Sequence, residues 1–158
     1  MSASLQPSSP ITASTFDIEG TWRLLAVEAW VDGQLADPHL NGVQPNGLIH
    51  YLSGQRMAVL IAHDGRALLS GDRYRSPQAE LAQAAATFTA YAGCYTREGA
   101  KLVHHLQVSS FENDVGSDYV RYIELEGDCM WLVSPKAVVQ GKERWVRLKW
   151  TRVLTSDA

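Results

Sequence analysis

The chain is poor in cysteine, in long apolar runs and in catalytic signatures, and each shortage narrows what it can be. Its 158 residues include only two cysteines, Cys94 and Cys129. They show no metal-ligand spacing and no framework of pairs, which argues against a disulfide-stapled or zinc-ribbon protein. Each reads as a small buried apolar residue in a reducing compartment, so a cytoplasmic location is expected. No stretch reaches the ~18 apolar residues of a membrane span. A formal net charge of -3 gives no reason to expect nucleic acid or an anionic membrane as partner. There is no Gly-x-Gly-x-x-Gly, no phosphate loop and no Gly-x-Ser-x-Gly elbow. Nucleotide, flavin and covalent acyl chemistry are therefore disfavoured, and no cofactor is expected. His39, His50 and His63 sit on separate segments without ligand spacing, so no metal site is expected either.

What is present is a succession of short strands with turn signals between them. Met1 to Thr15 is Ser-rich and Pro-containing, lacks Lys and Arg, and reads as a disordered tail rather than a secretory signal. Residues 16–154 then read as one domain. Thr21 to Trp30 is the first strand, ending at the hairpin signal Asp32-Gly33, and a Pro-, Asn- and Gly-rich loop follows from Asp37 to Gly47. Gly47 to Leu52 and Arg56 to Ile61 flank Ser53-Gly54 as a second hairpin. Strands resume at Cys94 to Thr96, Lys101 to Ser109, Tyr119 to Leu125, Cys129 to Val133 and Glu143 to Val153.

One segment departs from this pattern. Ser76 at an N-cap, Pro77 at the first helical position and Glu80 in the first turn are concordant helix-start signals. The Ala-rich sequence carries that helix to about Tyr91, with Leu81, Ala84, Ala85, Phe88 and Tyr91 or Ala92 as its buried stripe and Gly93 as its stop. The expected fold is all-β: an eight-stranded antiparallel barrel with one α-helix inserted between the third and fourth strands.

The two ends of the chain suggest how the barrel closes. Gly20-Thr21-Trp22-Arg23-Leu24-Leu25 opens the first strand, and Leu148-Lys149-Trp150-Thr151-Arg152 ends the last. In a closed barrel these strands pair, and Trp22 can lie beneath Arg152 in a cation–π stack that plugs one end. With Gly47-Leu48-Ile49-His50-Tyr51, Ser70-Gly71-Asp72-Arg73, the run from Phe88 to Tyr95, His104-His105-Leu106, Val115-Gly116-Ser117-Asp118 and Arg121-Tyr122, this pattern resembles the small intracellular bacterial and fungal lipocalin-like domain proteins. The resemblance implies a barrel with a central cavity for one small ligand. It implies little about chemistry: some such proteins act as cyclases or isomerases in natural-product pathways, and others only bind.

Several residues could serve such a cavity. If Trp22 points inward, alternation also sends Leu24, Ala26, Glu28 and Trp30 inward. Glu28 would then be a carboxylate on an apolar wall and a candidate general acid or base, unless a partner or a register shift intervenes. Of the neighbours His104 and His105 only one can face the cavity; the apolar set Leu102, His104, Leu106 and Val108 favours His104, and a polar-lined cavity would reverse this. Tyr51, Tyr91, Tyr95, Tyr119, Tyr122, Trp131 and Trp145 could line the cavity or simply form core. Arg121 alternates with Ile123 and Leu125, and would bind a carboxylate ligand or pair with Glu28 or Glu124. The expected partner is a small hydrophobic or aromatic molecule, held or isomerised without a cofactor. Pairing of two copies into a homodimer is compatible with this reading.

Overall fold

Strand formation follows the alternation of β-branched and aromatic residues with polar ones. The computed structural model describes residues 12, 13 and 15–154. Its strands are β1 (Gly20–Val31), β2 (Gln34–Asp37), β3 (Asn46–Leu52), β4 (Arg56–Ala62), β5 (Phe88–Glu98), β6 (Lys101–Ser109), β7 (Asp118–Glu126), β8 (Cys129–Val133), β9 (Ala137–Val139) and β10 (Lys142–Arg152), with one helix, α1 (Gln78–Ala86), after β4. All pairings are antiparallel, and β1 pairs with β3 on one side and β10 on the other, which closes an eight-stranded barrel. The short strands β2 and β9 flank this seam.

The helix departs from expectation in three ways. In chain order it follows the fourth strand rather than the third, because Gln34–Asp37 pairs with the end of β1 as a strand of its own. It stops at Ala86, not near Tyr91, and none of its residues is buried. Thr87-Phe88-Thr89 has strand preference, and Phe88 to Tyr91 pair with β4 instead. Third, Pro77 occupies the N-cap position, while the Ser76 hydroxyl donates to the Asp72 carbonyl at 2.9 Å. Gly93, expected as a helix stop, lies inside β5 at a bulge, where a Cβ would sit 1.9 Å from the His105 carbonyl oxygen. The expected tail falls largely on residues outside those described; Ala13 and Phe16 offer their carbonyls to the Arg97 guanidinium.

One end of the barrel is plugged as the chain ends suggested. Trp22 is fully buried, its Nε1 donates to the Ile18 carbonyl at 2.8 Å, and the Arg152 guanidinium carbon lies 4.3 Å from its ring centre. Arg152 also donates to the carbonyls of Asp17 and Glu19, which ties the entering chain across the barrel floor. Gly20 takes φ 124°, and a Cβ there would lie 2.8 Å from Arg152 Nη1, so glycine makes room for the guanidinium. Above the plug, Leu24, Ile49, Met57, Val59, Leu102, Met130 and Trp150 pack into one continuous core. Trp22→Ala should cost ~3–5 kcal/mol, measured by urea denaturation. A loss below about 1 kcal/mol would mean that the stack does not secure closure.

Candidate functional site

The inner face holds a column of polar aromatics rather than aliphatic residues alone. His104 on β6 is fully buried and lies between two hydroxyls: Tyr51 Oη at 2.8 Å from Nε2 and Tyr91 Oη at 3.3 Å from Nδ1. A neutral imidazole has one N–H and one lone pair, so one tyrosine donates to the ring and the other accepts from it. The Tyr95 ring meets Tyr51 edge-on at 5.1 Å, and Tyr119 meets Tyr91 edge-on at 5.4 Å. At the far end, the Arg121 guanidinium carbon sits 5.3 Å over the Tyr119 ring. Register explains the assembly. His104 stands opposite Tyr95 and Tyr119, and Arg121 stands opposite the fully buried Leu102, so all share the inner face.

Burial sets the charge state of this column. Desolvation, reinforced by the Arg121 charge, pushes the His104 pKa from 6.5 down to about 3, so the ring is neutral at physiological pH. Desolvation lifts Tyr51 well above the ordinary tyrosine value and Tyr91 to about 12. Tyr119 also rises to about 12, first by desolvation and then by its hydrogen bond to Asp114. The hydroxyls therefore remain protonated. Tyr51, His104 and Tyr91 thus form a neutral hydrogen-bonded chain.

Two of the expected catalytic residues lie outside this column. The pairing of β1 with β10 shifts register between Leu24 and Ala26, a bulge that adds one residue to β1. Phase reverses there: Val27 enters the core, and Glu28 and Trp30 face outward. Glu28 accepts from Arg147 Nε at 2.6 Å and from Trp30 Nε1 at 3.1 Å. His105 also faces outward, between Asp118 Oδ1 at 2.6 Å and Thr96 Oγ1 at 2.9 Å. Trp131 and Trp145 share the outer face with Arg147 and Lys149, and Tyr122 is exposed.

The column has an exposed end. Tyr119 and Arg121 are half-buried, whereas Tyr51, Tyr91, Tyr95 and His104 are buried. Asp114, on the short 3-10 turn Glu112–Asp114, reaches the Tyr119 hydroxyl from the loop between β6 and β7. Sequence reasoning missed it, since a carboxylate in a polar loop gives no local signal. It also missed that the buried Trp150 Nε1 has no acceptor among the described residues. At the unplugged end, β1, β9 and β10 border a cleft of about 320 Å³ lined by Ala29, Trp30, Val31, Ser134, Pro135, Ala137, Val139, Arg144, Trp145 and Val146, with none of the column in its walls. A larger cleft, about 520 Å³, lies between loop 63–69 and α1 and has none of the column in its walls. Among the described residues, no three of His, Cys, Asp and Glu stand close enough to hold a metal ion. No helix among them is long and apolar enough to cross a membrane.

A closed eight-stranded antiparallel barrel, plugged at one end and lined by aromatic donors, belongs to the class of barrels that take up small molecules. The family is specific: the chain belongs to the lipocalin-like domain family, whose model matches residues 19–153. No curated protein matches it.

Two predictions follow from the geometry. Between pH 6.5 and about 3 the unfolded chain takes up a proton that the native His104 refuses, so stability falls as pH drops through this window. The slope from one such proton is ~1.4 kcal/mol per pH unit. Urea midpoints between about pH 4 and pH 6 should fall more steeply for wild type than for His104→Gln; equal slopes would show that the imidazole is charged in the barrel. Glu28→Gln weakens an outward ion pair and should cost only ~1 kcal/mol, leaving the His104 slope unchanged.

Proposed function

We propose that the protein binds a small hydrophobic or aromatic metabolite that enters at the unplugged end and docks on the exposed end of the tyrosine–histidine–arginine column. The observation that carries this reading is the gradient along the column. Its deep members satisfy one another, whereas Tyr119 and Arg121 are half-open. The apolar cleft bordered by Val31 and Val146 lies at the same unplugged end. Exposed apolar side chains such as Leu40, Val43 and Phe111 in neighbouring loops add to the apolar character of that end.

Binding without conversion is the reading favoured here. Glu28 and His105 face away from the column, and a histidine held neutral is a weak proton donor. A cofactor-free isomerase or cyclase is the second reading. It is favoured by the hydrogen-bonded chain around His104 and by Asp114, a carboxylate against the Tyr119 hydroxyl. In that case protonated tyrosines would polarise a carbonyl as its charge grows.

Native mass spectrometry of protein purified from its own source tests both. Any released molecule is then incubated with fresh protein. A small apolar molecule recovered unchanged is the expected result. Conversion to a new species would replace the binding reading with the enzymatic one. Protein that emerges empty and takes up no member of a panel of small apolar compounds would overturn both.

A further inference from the structure

Three arginines in and around the barrel wall are matched to partners, whereas Arg23, Arg56, Arg121 and Arg144 make no ion pair among the described residues; of these four, Arg121 stands beside the tyrosine–histidine column. Arg97 and Arg152 each donate to two backbone carbonyls at the plugged end. Arg147 donates to Glu28 and is held between the rings of Trp30 and Trp131, 5.1 and 4.1 Å away. Arg121 faces the inner side of the wall with a single hydrogen bond, Nη1 to the Val120 carbonyl at 2.8 Å. It makes no ion pair among the described residues. Glu28, one candidate partner, is taken by Arg147, and Glu124 lies exposed on the opposite face of β7. Asp114 is engaged by the Tyr119 hydroxyl and makes no salt bridge to Arg121.

A half-buried guanidinium without a counter-ion is an incomplete electrostatic arrangement. The Nε–Nη2 edge, which makes no hydrogen bond here, is the planar fork that grips a carboxylate through two parallel bonds. Beside it stand the Tyr119 ring and hydroxyl, with Tyr91 edge-on behind them. Both hydroxyls stay protonated and so add no negative charge beside the fork.

We infer that the ligand is an anion, an apolar molecule bearing a carboxylate, and that Arg121 holds that carboxylate while the aromatic rings take the apolar body. This inference rests on the small-molecule reading above and narrows it to a chemical class.

The test uses matched acids and amides on the same apolar bodies: benzoate and benzamide, naphthoate and naphthamide, decanoate and decanamide. Isothermal titration measures each against wild type, Arg121→Gln and Arg121→Lys, with circular dichroism as the folding control. The acid of at least one pair should bind wild type roughly tenfold more tightly than its amide, and the difference should shrink with added salt. Arg121→Gln should remove the difference while leaving the amide's Kd within about twofold; Arg121→Lys should keep part of it, since charge survives but the fork does not. Acids and amides that bind equally well, or a preference that persists in Arg121→Gln, would overturn the anion inference and leave the small-molecule reading standing. If neither acids nor amides bind, both readings fall together. An unfolded Arg121→Gln leaves the wild-type acid–amide comparison and the Arg121→Lys variant to decide.

Discussion

The pairing of β1 with β10 is the constraint on which everything inside the barrel depends. A sheet that failed to close there would expose two edges and open the core to water. The seam is fixed at the plugged end by Arg152, which covers the Trp22 ring and binds the carbonyls of Asp17 and Glu19. One side chain thus joins the last strand, the first strand and the chain that leads into it. Closure also sets the register around the barrel, and register decides which side chains share the interior. His104 meets Tyr51 and Tyr91 because β3, β5 and β6 are held in place by that closed ring of pairings.

Burying polar groups in such a core is tolerable only when they satisfy one another. The column meets that condition without ion pairing. His104 is neutral and uses both nitrogens on hydroxyls, and the tyrosines are held protonated by the same desolvation. Arg121 is the charged member: its field disfavours protonation of His104 and favours ionisation of Tyr51, Tyr91 and Tyr119, but burial outweighs it at the tyrosines and keeps them protonated. The result is a neutral, mutually hydrogen-bonded column with the Arg121 cation at its half-buried end and the Asp114 carboxylate against the Tyr119 hydroxyl. That polarity is suited to a ligand with an apolar body and a negative head.

The sequence disclosed this arrangement unevenly. Alternation along β6 was enough to place His104 inside between Leu102 and Leu106, although Val108, expected with them, is exposed past the register shift of the β5–β6 pairing. Arg121 was placed in the same way by Ile123. Alternation failed in β1, where one extra residue at the bulge reversed the phase and carried Glu28 and Trp30 to the outer face. No local composition announces that bulge. The helix boundary failed for a different reason: alanines extend helical periodicity, but pairing with β4 captured Phe88 to Tyr91. That capture places Tyr91 in the column. Asp114 became part of the site through tertiary approach, which no spacing in its own loop encodes.

The bulge that removes Glu28 from the interior also explains why the outer face is so rich in aromatics and charge. Beyond it, Glu28 and Trp30 stand opposite Arg147 and Trp145 across the seam. Trp30 stacks on Trp145 with ring centres 5.6 Å apart, Arg147 lies between Trp30 and Trp131, and Lys149 covers Trp131 while bonding Glu126 at 2.6 Å. This ladder crosses β1, β10 and β8, so cation–aromatic contacts hold the seam above the bulge as the Trp22–Arg152 stack holds it below. At the unplugged end the seam borders a cleft where Ala29, Val31 and Val146 stand with Arg144 and the edges of Trp30 and Trp145. Glu28 therefore serves the barrel from outside: its ion pair with Arg147 ties β1 to β10 above the bulge.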